Sequence, residues 1–179
     1  MAGASFRDFD PRRDRDALVD LLTSEEWTHR TRPLISEAEA AEELERGYYA
    51  GDDVITVMIE LDGEVVGLVR ADGLADQGHD PQLDLRLRER VRGRGVGQAA
   101  LRQITETIFT RHPDRERIEG QTRRDNVAMR KVFERGGYVQ EAVYRRGWPT
   151  ADGDRHDGIG YAILRGDWES GTTTPVEWG

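Results

Sequence analysis

The sequence predicts one α/β domain (α+β by some schemes), a central sheet flanked by helices, and three observations carry that expectation. From Leu83 to Thr107 an alternating strand runs through an Arg- and Gly-rich turn straight into an amphipathic helix. The order strand, helix, strand between residues 83 and 122 calls for a parallel pair joined by a right-handed crossover. Two further stretches, 54–71 and 138–164, each read as a pair of strands folded back on a turn.

A length of 179 residues with 36% hydrophobic and 34% charged content suits one soluble domain with a substantial core. The formal charge of −9 and a pI near 5.0 argue against nucleic acid or an anionic membrane as a partner, and mildly favour cationic ligands. There is no cysteine, which excludes a thiol nucleophile, disulfides and Cys-type zinc sites together. No run approaches the roughly 20 apolar residues of a membrane span, and the first 22 residues lack a signal-peptide core, so a cytoplasmic protein is expected.

In chain order, Ser5–Phe9 reads as a short strand and Arg13–Thr23 as a helix with Ala17, Leu18, Leu21 and Leu22 inward. A polar connection carrying Trp27, His29, Arg30 and Arg32 leads to Pro33. Ser36 and Glu39 form a capping-box pattern that opens a helix to about Tyr49. Its five glutamates, 37, 39, 42, 43 and 45, read as a solvated face or as an acidic rim for a cationic amine. Val54–Leu61 and Glu64–Ala71 flank Asp62-Gly63, a two-residue turn whose twist suits a hairpin. A loop with His79 follows and delivers the alternating strand.

Beyond the long helix, Arg117–Thr122 is a strand, and Asn126 precedes a helix with Met129, Val132 and Phe133 on one face, stopped by Gly136-Gly137. Tyr138–Arg145 and His156–Leu164 pair over a connection containing Trp148-Pro149 and Asp152-Gly153-Asp154. The domain is expected to span 1–169, with 170–179 a frayed tail.

The turn carries the chemistry. Arg92, Gly93, Arg94, Gly95, Val96, Gly97 and Gln98 put three glycines where the backbone must approach a ligand and open a helix whose unpaired N–H groups face back into the loop. That is an anion site, most naturally for phosphate. A Walker loop needs Gly-Lys-Ser/Thr, but the only lysine is Lys131; a dinucleotide fingerprint needs a glycine spacing that Gly93-Arg94-Gly95-Val96-Gly97-Gln98 breaks. Glycines that merely permit tight packing are the plainer alternative.

Arg92-x-x-Gly95-x-Gly97 after an alternating strand resembles the acyl-CoA pyrophosphate loop of the GNAT superfamily of N-acetyltransferases. Asn126, Phe133 and Gly137-Tyr138 match a second GNAT pattern, and the ending from Arg145 to Trp168 is similar to the ribosomal-protein alanine acetyltransferase (RimJ/RimL-type) branch. The resemblance implies a mixed, V-splayed sheet holding acetyl-CoA, with direct transfer of the acetyl group to an amine and no metal. It implies main-chain contacts to the pantetheine at Leu85 and Leu87, pyrophosphate on residues 92–98, and further cofactor contacts from Asn126 and Arg130. The arginines at 86, 88, 90, 92 and 94 reverse the chain's charge locally, as a phosphorylated adenosine diphosphate requires.

Transfer needs a free amine, because an alkyl ammonium near pKa 10 has no lone pair. Several relatives place an acid five residues before the Asn and a Tyr on the helix; here those positions are Gln121 and Phe133. Glu119, on the same strand face as Gln121, and Asp84, on the polar face of the neighbouring strand, are the candidate bases, and Tyr138 or Tyr144 the candidate acid for the leaving thiolate. For both carboxylates, a salt bridge to nearby arginines is the competing reading. Trp27, His29 and Trp148 are candidate contacts to the acceptor, which is a small-molecule or peptide amine, and a homodimer is a further expectation. Gln121 and Phe133 in place of the usual acid and base keep one rival open, a non-catalytic acyl-CoA sensor or assembly module; a third class, a nucleotide-dependent oxidoreductase, would need a ribose-binding acid in register with the loop.

Overall fold

The structure, a computed structural model, describes residues 3–76 and 78–178; the outermost residues of the expected domain and tail lie outside them. Its strands are β1 (Ser5–Asp8), β2 (Val54–Leu61), β3 (Glu64–Asp72), β4 (Gln82–Leu87), β5 (Arg117–Arg123), β6 (Val139–Pro149) and β7 (Arg155–Leu164). They form one seven-stranded sheet in the order β1-β2-β3-β4-β5-β7-β6, antiparallel throughout except for the parallel β4–β5 pair. The helices are α1 (Arg15–Thr23), α2 (Glu37–Glu45), α3 (Val96–Arg111), α4 (Val127–Arg135) and α5 (Arg165–Ser170). The mixed α/β architecture is the one the sequence predicts.

Two cores cover the two sheet faces. On one face α3 and α4 bury Leu101, Ile104, Ile108 and Phe133 against Val57, Ile59, Val69 and Ile118. On the other, α1 and α2 bury Leu18, Leu21, Leu22 and Ala40 against Met58 and Leu68, with Trp27 and Tyr49 between them. The capping box forms as read: Ser36 Oγ accepts from Glu39 N, and the Glu39 carboxylate accepts from Ser36 N at 2.9 Å. That helix ends at Glu45, earlier than expected, because Gly47 turns left-handed at φ 73°.

The last hairpin is longer than the sequence suggests. β6 passes through a register break between Tyr144 and Trp148, where Arg146 takes φ 51° and its N–H donates to Asp157 Oδ1 at 2.9 Å. Trp148 therefore lies in the strand, opposite His156, and not in the connecting loop. After β7, α5 follows; its buried Asp167 accepts both the N–H and the hydroxyl of Thr174.

Candidate functional site

The β4–β5 pair opens almost as soon as it starts. Gln82 faces Glu119 and Leu83 faces Gly120, and beyond these two positions no β5 residue is in register with β4. On its other edge β4 stays paired to β3, and Arg88 N donates to Val66 O at 2.9 Å. Hydrogen-bonding direction alternates along an antiparallel strand. Arg86 and Asp84 thus spend their main-chain groups on β3, while Leu85 and Leu87 turn theirs into the gap. The splay predicted for the sheet is this divergence, and the two leucines are the residues expected to meet the pantetheine.

The gap leads to the turn. A single 3₁₀ turn at Glu89–Val91 precedes it, Gly93 and Gly95 have φ of 75° and 82°, and Gly95 is the N-cap of α3. At both glycines a Cβ would enter open space. The first amides of α3 have no partner within the helix, and the Gln98 Nε2 is buried without one. These groups suit a diphosphate. Arg92 fixes the turn instead of reaching outward: its Nε donates to Leu87 O at 2.9 Å.

Three other arginines of this stretch are ion-paired within the chain. Arg86 pairs with Asp84, Arg88 with Asp20 and Ser24, and Arg90 with Glu64. The first pair lies within β4, while the other two tie the segment after β4 to α1 and to the start of β3. Across the gap, Asn126 caps α4 by accepting from Met129 N at 3.2 Å, and Arg130 donates to Tyr161 Oη at 3.1 Å, bracing α4 on β7. Phe133 lies under Gly120 and stacks on Tyr161 with ring centroids 4.9 Å apart.

Three of the four expected proton carriers are engaged elsewhere; the fourth, Tyr144, is 44% exposed on β6. Asp84 is 7% exposed and its carboxylate lies between Arg30 and Arg86. Glu119 sits at the closed end of the gap, bound by Arg117 and Gln82. Burial works to raise its pKa, but those two hydrogen bonds outweigh it and leave it below the usual carboxylate value. Tyr138 is in the core, where its hydroxyl shares a 2.8 Å hydrogen bond with Thr105, and burial pushes its pKa well above that of free tyrosine. Trp27 is likewise a packing residue, 4% exposed, with Nε1 donating to Leu22 O at 2.9 Å. His29 stands beside Asp125 and Arg123, away from the cavity described next; burial, then Arg123 and Arg92, lower its pKa against the opposing pull of Asp125.

On the face of the sheet opposite α3 and α4 lies a cavity of about 300 Å³. The connection between α1 and α2 supplies Arg30, Thr31 and Arg32, α2 supplies Glu39 and Glu43, and β4 and β6 supply Arg86 and Trp148. Arg30 Nη2 approaches Leu85 O at 3.5 Å, so the cavity adjoins the gap in the sheet. Glu43 accepts from Tyr49 Oη at 2.7 Å. Glu43 and Tyr48, the latter also on the wall, were not distinguishable in sequence from other residues of a solvated helix and its exit. Of Trp27, His29 and Trp148, Trp148 alone lines this cavity, together with Glu39 and Glu43 of the acidic helix face.

The acetyltransferase (GNAT) domain model matches residues 5–139. The structure is similar to that of a ribosomal-protein α-N-acetyltransferase in complex with coenzyme A, with a TM-score of 0.76 and 20% identity over 92% of this chain and 95% of that one. It is similar to spermidine N-acetyltransferase from Vibrio cholerae in complex with CoA and spermine, with a TM-score of 0.76 and 16% identity over 93% and 98% of the two chains. It is also similar to an acetyltransferase from Salmonella typhimurium that modifies the N-terminal serine of a 50S ribosomal subunit protein, with a TM-score of 0.75 and 19% identity over 92% and 96%. Among curated proteins, none matches the sequence significantly.

Proposed function

Because the chain belongs to the GNAT acetyltransferase family, we propose that it transfers an acetyl group from acetyl-CoA directly to a primary amine bound in the cavity beneath Arg86 and Trp148. The observation that carries this reading is the gap after Leu83 and Gly120, which joins the diphosphate turn on one side to that cavity on the other. Acetyl-CoA supplies an activated thioester carbonyl. Leu85 and Leu87 offer main-chain groups along its pantetheine, and the amides of residues 93–98 receive its diphosphate.

The N–H of Leu87 faces the gap and is the group placed to stabilise the oxyanion that forms when the amine adds to the carbonyl. The carbon–sulfur bond then breaks and coenzyme A leaves as a thiolate. With Asp84 and Glu119 held by guanidinium groups, the acceptor reacts as its unprotonated fraction, its ammonium proton having gone to water; the proton that the nitrogen sheds as the tetrahedral intermediate collapses also passes to water, and the thiolate leaves unprotonated. Asp84 acts here as a positioning residue for Arg30 and Arg86. A cytoplasmic homodimer belongs to the same reading: β6 is an edge strand with Val143 and Tyr144 exposed, and the solution mass by light scattering tests it.

The test is thermal denaturation with acetyl-CoA, CoA and NAD, followed by thiol release against a panel of amines. Stabilisation by both CoA forms and amine-dependent thiol release are expected. Stabilisation by NAD alone, or CoA binding without release on any amine, overturns the assignment.

A further inference from the structure

The cavity holds two donors that the fold leaves unused. Arg86 is 6% exposed; its Nε and Nη2 donate to Asp84 Oδ2 at 3.3 and 3.2 Å, while Nη1 is buried with no partner. The indole Nε1 of Trp148 is also buried with no partner. Both residues line the same cavity, one from β4 and the other from the segment of β6 beyond its register break. A buried N–H without an acceptor costs free energy that a well-packed fold avoids, and two of them on residues lining one cavity suit an acceptor from outside the chain.

The charges agree. Asp84 is a single carboxylate shared by two guanidinium groups, those of Arg30 and Arg86, so this corner carries one uncompensated positive charge. Burial first, and the like charge of Arg86 second, pull the Arg30 pKa below the usual guanidinium value. Arg32 is matched by Glu39, at 3.4 Å. Glu43 places a negative charge on the α2 side of the same cavity. The cavity is therefore positive at one end and negative at the other.

We propose that the acceptor is an amino acid or a small amine bearing a carboxylate, with the carboxylate received by Arg86 Nη1 and Trp148 Nε1. This rests on the cavity being the acceptor site. A polyamine, cationic at every nitrogen, meets Arg30 and Arg86 unfavourably at that corner, although the chain's net charge alone favours it. A peptide N-terminus presents a carbonyl there in place of a carboxylate and leaves the positive charge uncompensated.

The test pairs each common amino acid, β-alanine and γ-aminobutyrate with the amine that lacks its carboxylate, and adds spermidine and a dipeptide. Thiol release is measured with saturating acetyl-CoA, and binding to the CoA-loaded protein by calorimetry. For at least one pair, the carboxylate form is expected to be favoured by about ten- to a hundredfold in kcat/KM, the range of a hydrogen bond to a charged group. Trp148→Phe, which keeps an aromatic ring but removes the indole N–H together with the pyrrole portion of the side chain, should narrow that preference by raising KM with little change in kcat. Stabilisation by CoA should be unchanged in this variant, and Arg86→Lys should weaken the same preference further.

Equal use of the paired amines, preference for spermidine or the dipeptide, or a preference untouched by Trp148→Phe overturns the proposal. If CoA binds but no amine is acetylated, the transfer reading fails. Calorimetry then still decides the inference: tighter binding of the carboxylate form upholds it, and equal binding ends it.

Discussion

Replacing Gly120 by alanine tests how the fold places α4 against the gap. A Cβ at Gly120 would stand 2.4 Å from Phe133 Cζ and 2.6 Å from Cε1. The ring has little room to yield, being 1% exposed, stacked on Tyr161 at 4.9 Å and tilted against Tyr138 at 5.4 Å. Losing glycine's freedom in the unfolded chain stabilises by about 0.4–1 kcal/mol, whereas overpacking a rigid core costs about 1–3 kcal/mol. The net expectation is a loss between roughly 0 and 2.6 kcal/mol, centred on about 1.3 kcal/mol. At about 2–4 °C per kcal/mol for a chain of this size, the central value lowers Tm by on the order of 3–5 °C.

A double-mutant cycle isolates the contact. Phe133→Ala alone should cost about 3–5 kcal/mol. In that background Gly120→Ala meets no ring, so the double variant should fall short of the summed losses by about 1 kcal/mol or more. Urea denaturation of the four proteins measures all the terms. Additivity within about 0.5 kcal/mol would refute the tight approach of α4 to β5.

Other outcomes follow from the same geometry. Gly95→Ala places a side chain on a left-handed N-cap, φ 82°; it should cost about 1 kcal/mol of stability and reduce the stabilisation by CoA well beyond that of a distant control, read by thermal denaturation. With no free base at the gap, log kcat/KM should climb with a slope near 1 up to the pKa of the acceptor amine; a plateau from near pH 7 would reveal a base that the geometry does not display. Asp14 is 2% exposed and accepts from Arg7 and Arg13. Burial works to raise its pKa, yet those hydrogen bonds outweigh it and hold it well below the usual value. A depressed folded pKa gives stability that is full above the ordinary carboxylate pKa, near 4, and is lost as pH falls toward the folded value. Asp14→Asn should therefore lower stability at pH 7 and flatten the acid limb, seen by urea denaturation between pH 2 and 7.

The elements legible in the sequence are those set by neighbours along the chain. The Asp62-Gly63 turn, the capping box at Ser36 and Glu39, the alternation from Leu83 to Arg88 and the glycines at 93 and 95 each act within a few residues, and each appears where read; Gly97 instead lies in the first turn of α3, where a Cβ would meet the Leu87 and Val132 side chains. The strand, helix, strand order was enough for the parallel β4–β5 pair, because the crossover has one favoured hand.

What the tertiary structure decided lies in pairs far apart in the chain. Alternation told that β4 has two faces but not how each is covered: the face of Asp84 and Arg86 is the more buried, and Leu85 and Leu87 border the gap. The partners of the arginines follow the same rule, with Arg88 meeting Asp20, 68 positions away, and Arg30 approaching Leu85 across 55. Glu43, Tyr48 and Arg86 converge with Trp148 only once α2, β4 and β6 are stacked over one sheet face. Period and spacing report a residue's side of its own element; which group stands opposite is set by how layers pack, a sum over contacts between distant segments that no local pattern contains.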